Sequence, residues 1–132
     1  MANVAKGSMA AAVLFLAVGM VWGIQMSATH DHTLSPAHGH LNLLGFVMMS
    51  VVALYYAVTP TAGASRAARI HVGLTIVAIV ILVPGIAMAI SGAGETLAKL
   101  GSVLSLLSVV IFGWIVLKFG MGAQDVAKDL GN

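Results

Sequence analysis

Four apolar runs, at about residues 9–26, 38–58, 69–90 and 97–119, divide this sequence, and no other feature limits its fold as much. Each approaches the roughly 20 residues that a helix needs to cross about 30 Å of hydrocarbon. Lipid offers no partner to a backbone N–H or C=O, so a spanning segment must satisfy its own hydrogen bonds. None of the runs alternates with the period of two that a barrel strand would show. The expected fold is therefore all-α: a four-transmembrane-helix bundle in a single membrane domain over residues 1–132. Composition agrees. The chain is 60% hydrophobic and only 8% charged, whereas soluble domains carry about a quarter of their residues charged.

The first run follows Lys6 and imitates a signal peptide, but its length reads as a retained span. The connections are short. Pro36 precedes the second run, Pro60 and Gly63 break the chain before the third, and 91–96 is a Gly-rich turn before the fourth. A polar tail from 120 to 132 is expected to extend the last helix or to fray. With four spans, both termini share a side with the middle connection. That side collects Lys6, Arg66, Arg69, Lys118 and Lys128, against Lys99 alone on the other. The positive-inside rule then places the termini in the cytoplasm and the His30–His40 region at the periplasmic face of a bacterial inner membrane. Six scattered basic residues are too few for a nucleic-acid surface, so the lipid bilayer is the expected partner. With no cysteine, thiolate metal sites and thiol catalysis are excluded.

Small residues recur within the spans. Gly19 and Gly23 form a GxxxG pair in the first, and Gly101, Ser105 and Ser108 make a stripe in the fourth. Such residues let backbones approach closely, here as surfaces for contact between copies of the chain. Pro84-Gly85 is expected to kink the third span.

Chemistry gathers in one place. His30, His32, His38 and His40, four of the five histidines, fall within eleven residues together with Asp31. Neutral imidazole is the commonest metal ligand, and an ionisable group at membrane depth marks a functional site by default. His38 and His40, two residues apart, point about 200° from each other on a helix and cannot readily hold one ion together. Each then needs a partner from the loop, from another helix or from another copy. Asp31 is either a loop carboxylate or a group that orients an imidazole from behind. Asn42 is placed for a helix–helix hydrogen bond. His71 opens the third run beside Arg66 and Arg69, at the end opposite His40, and reads as an interfacial anchor, with a second site as the alternative.

At His40-Leu41-Asn42-Leu43-Leu44 the sequence resembles the start of the second transmembrane helix of subunit I in haem–copper oxidases and nitric oxide reductases, which reads H-x-N-L-L in the latter. Tyr55-Tyr56 and Pro60 echo that helix's end, and the stretch DHTLSPAHGHLNLLGF is similar to small four-span bacterial proteins grouped with that subunit. The likeness covers about residues 20–60. It implies that His40 is an axial ligand of haem b near the outer face. His38-Gly39-His40 is also similar to an H-x-H in which two histidines serve two haems. Because family subunits group their helices in three sets of four, the resemblance implies a homotrimer for a four-span chain, with a dimer as the alternative. The family's copper ligands and other haem ligands lie on helices without a counterpart in this sequence. This chain alone is therefore not expected to reduce oxygen or nitric oxide.

Three functions follow as expectations. The first is a haem b protein for electron transfer or gas binding, with His40 and His38 as cofactor ligands and a respiratory redox partner. The second is a copper- or zinc-binding membrane protein using His30, His32, His38 and His40. The third is a non-catalytic assembly partner of a respiratory complex.

Overall fold

The computed structural model describes residues 3–122, so Lys128 and most of the expected polar tail lie outside the described residues. The described residues form helices joined by short turns, with no strand among them, and four of the helices are long and apolar enough to cross a membrane. They run Val4–Thr29 (span 1), Ser35–Val58 (span 2), Arg66–Ile90 (span 3) and Thr96–Phe119 (span 4). This is the architecture of a multi-pass membrane protein. Spans 1, 2 and 3 begin several residues before their apolar runs, because the polar flanks cap or extend the helices. Asn3 accepts a hydrogen bond from Lys6 N at 3.3 Å, and Ser65 accepts one from Ala68 N at 3.1 Å.

The bundle consists of two antiparallel hairpins, spans 1–2 and spans 3–4, with span 2 packed against span 3. Two apolar cores result. One joins Ala12, Ala37, Leu41, Met49, Ile79 and Val83; the other joins Val52, Tyr55, Tyr56, Ala62, Ala68 and Ile115. The outward faces of spans 1 and 4 keep exposed Leu, Val and Ile side chains such as Leu14, Val21, Val103 and Leu106. Lipid accounts for that exposure.

The small residues close contacts inside the chain. A Cβ built on Gly101 would stand 2.5 Å from Leu82 Cα, and one on Gly85 would stand 2.5 Å from Ala98 N. Spans 3 and 4 thus touch backbone to backbone. Ser108 meets Thr75 of span 3 hydroxyl to hydroxyl, so the stripe on span 4 is occupied within the protomer. Span 3 runs unbroken through Pro84. The far ends of spans 2 and 4 are tied by Tyr55 Oη, which donates to Gly120 O at 2.9 Å, and by Gly122 N, which donates to Thr59 Oγ1 at 2.9 Å.

Span 2 is not a uniform α-helix. It starts as α-helix over Ser35–His40, widens to π-helix over Leu41–Met48, and returns to α-helix over Met49–Val58. Gly45, in the widened part, lets Phe15 of span 1 close on the backbone, since a Cβ there would stand 2.8 Å from Phe15 Cβ. Long π segments are uncommon and tend to sit where a helix carries a functional side chain. This one begins immediately after His40.

Candidate functional site

The chain leaves span 1 through His30, which caps the helix in the left-handed region (φ 55°) and donates its N–H to Ser27 O. Asp31 follows, and its carboxylate accepts from Thr33 N at 3.0 Å. Hydrogen bonds from the Thr33 side chain and backbone hold that carboxyl below the ordinary carboxylate range, with the nearby His32 adding to the effect. Asp31 therefore folds back on its own turn. His30 and His32 are both exposed. A cavity of about 110 Å³ lies behind the loop, lined by Trp22, Gln25, Met26, Thr29, Asp31 and Leu34; none of the histidines lines it.

His38 and His40 part as their 200° spacing requires. His38 is half-buried and crosses to span 1, where its Nε2 lies 2.9 Å from Gly19 O and 3.1 Å from the Asn42 amide. A carbonyl only accepts, so Nε2 carries its hydrogen toward Gly19. The Asn42 amide lies beside that bond, and turned with its oxygen to the ring it can share the same hydrogen. The edge of Trp22 closes the other side, with ring centroids 6.0 Å apart at 89°. Gly19 and Gly23 make room for this contact: a Cβ on Gly23 would meet His38 Nε2 at 3.2 Å, and one on Gly19 would overlap the Asn42 side chain. The GxxxG pair is thus filled by His38 and Asn42 of the same chain. Gly19→Ala should push Asn42 off this seat at about 1–3 kcal/mol, the usual range for overpacking. The double variant with Asn42→Ala should recover most of that loss when both are unfolded in the same detergent.

His40 stays exposed, and its Nδ1 lies 2.7 Å from Pro36 O, one turn back on the same helix. Because the carbonyl accepts, Nδ1 carries a hydrogen, and in the neutral ring the lone pair is then on Nε2. Of the two helix histidines, one has its Nε2 engaged and the other has it free.

A shared copper or zinc site would need the loop and helix rings to converge. Among the described residues, no group of three His, Cys, Asp or Glu side chains is arranged to hold a metal ion.

His71 requires a correction. It is not an interfacial anchor: its exposure is 0%, and it lies inside the bundle. Span 3 starts at Arg66, so His71 falls beyond the first turn, facing its neighbours instead of the interface. Tyr56 Oη lies 2.8 Å from Nδ1, the ring stacks on Phe112 at 5.1 Å and 12°, and Thr75 Oγ1 donates to His71 O at 2.8 Å. The Nε2 atom is buried without a protein partner. His40 and His71 lie near the starts of antiparallel neighbours, at opposite ends of the bundle.

No family model, curated protein or solved structure matches this chain.

Proposed function

We propose that this chain is a membrane haem b-binding protein, acting in electron transfer or gas binding, with His40 as an axial ligand. The observation that carries this reading is the state of the His40 ring. An imidazole held through Nδ1 on a backbone carbonyl, with Nε2 left facing outward, is in its neutral form the arrangement that ligates haem iron and other borderline metals. The residues fit one axial position. His38 has its Nε2 turned onto Gly19 O, so within the protomer it is a weaker candidate for the second. A second copy of the chain supplies that ligand, and self-association therefore belongs to the proposal. The trimer rests on the likeness to a subunit of three helix groups; two-fold dimers are the commoner closed form. Bound haem would supply the redox or gas-binding chemistry, while the chain fixes the orientation of the ligand ring.

The proposed location is a bacterial inner membrane with the histidine end periplasmic. It is supported by Lys6, Arg66, Arg69 and Lys118 at one end of the described chain, against Lys99 at the other, where Lys99 is paired with Glu95 at 2.9 Å.

The visible spectrum of the purified protein, taken beside elemental analysis, tests the function. A Soret band with sharp bands on reduction and one iron per site is the expected result. A colourless protein with stoichiometric copper or zinc contradicts it, and a colourless metal-free protein points to the assembly partner.

A further inference from the structure

At the end of the bundle away from His40, a groove of about 410 Å³ opens between the start of span 1 and the turn joining spans 2 and 3. Val4, Ala57 and Pro60 give it apolar walls, while Asn3 and Arg69 are its polar residues. We propose that this groove binds the phosphate head group of an anionic glycerophospholipid, with Arg69 as the phosphate ligand. Three observations carry the inference, and it does not depend on haem binding.

The first is the shape of the groove. A cleft walled by Val4, Ala57 and Pro60 at the end of two spanning helices takes the glycerol and upper acyl region of a lipid. The second is the cation. Arg69 is exposed at the groove, and a guanidinium offers phosphate oxygens a planar pair of donors. The third is the charge beside it. Lys6 and Arg66 lie at the same end as Arg69, while the acidic residues among those described, Asp31 and Glu95, are both at the opposite end. A basic pocket between membrane helices is a recurrent form of anionic head-group site.

The test uses the full chain in nanodiscs of phosphatidylcholine, titrated with phosphatidylglycerol, with bound lipid counted by native mass spectrometry. Wild-type protein should take up one phosphatidylglycerol per protomer saturably. Arg69→Gln should weaken that uptake about fivefold or more, as the loss of one basic contact at a membrane surface implies. Arg69→Lys, which keeps the charge but loses the paired donors, should fall between the two. Lys118 lies at the same end but outside the groove lining, over the Trp114 ring at 4.8 Å, and Lys118→Gln should leave uptake unchanged. Absence of saturable uptake by the wild type overturns the site. So does an Arg69→Gln variant that binds as well as wild type, or a Lys118→Gln variant that loses as much, since either result means diffuse surface charge. Inorganic phosphate that occupies the site in pure phosphatidylcholine would make it a free-anion site and overturn the lipid assignment. Arg69 is exposed, so its replacement leaves the packed core untouched, and Arg69→Lys provides a second variant for the same readout.

Discussion

Replacing Gly101 by alanine should lower the stability of the folded bundle by about 3 kcal/mol, at the top of the usual range for overpacking. The methyl group would stand 2.5 Å from Leu82 Cα and 2.7 Å from Leu82 N, and both are backbone atoms that no rotamer change can move aside. Span 4 would have to lift away from span 3. That would also separate Ser108 from Thr75 and Phe112 from His71. Controls lie in the same two helices. Nothing is within 4 Å of a Cβ built on Gly73 or Gly113, so Gly73→Ala and Gly113→Ala should be neutral, or gain up to about 1 kcal/mol from helix propensity. Midpoints of unfolding in mixed detergent micelles, compared across the three variants, check the contrast. Equal midpoints would mean that spans 3 and 4 do not meet at Gly101.

His71→Ala should cost a similar amount for a different reason. The ring is fully buried, stacks on Phe112 and partners Tyr56 Oη, so its removal leaves both a cavity and an orphaned hydroxyl. Truncating a buried aromatic side chain to alanine costs about 3–5 kcal/mol. Tyr56→Phe keeps the volume and removes only the hydrogen bond, at about 1–3 kcal/mol for the unpartnered imidazole nitrogen. Adding Tyr56→Phe to His71→Ala should then cost less than it does alone, because the bond is already gone. Full additivity in such a cycle would show that the two side chains do not interact.

The bundle was legible in the sequence because the length of an uncharged apolar run is a direct measure of what can cross a bilayer. The divergence of His38 and His40 was legible for a similar reason, since helical spacing fixes direction within one element. The pairing of elements was not. GxxxG reads the same whether its partner is another chain or the next helix, and only the fold shows Gly19 and Gly23 receiving Asn42 and His38. His71 sits beside two arginines in the sequence, which draws it toward the interface. Its burial depends on Tyr56 and Phe112, 15 residues before it and 41 after it, arriving on the same side. The π-helical stretch from Leu41 to Met48 has no proline to announce it; Asn42 and Gly45 are the only residues in it that are not large and apolar. The His40–Pro36 contact lies within a single turn. The four-residue spacing alone permits it, since a ring N–H at one position reaches the carbonyl one turn back.

In the proposed function His40, through its Nε2, holds an axial position of a haem. Haem per protomer in purified His40→Ala, set against His30→Ala prepared identically, tests it most directly. Nothing else on that helix face replaces the His40 ring, so His40→Ala should lose its bound haem while His30→Ala retains the wild-type content. Full haem content in His40→Ala would remove His40 as the ligand, and loss in His30→Ala with His40→Ala intact would move the site from the start of span 2 into the loop.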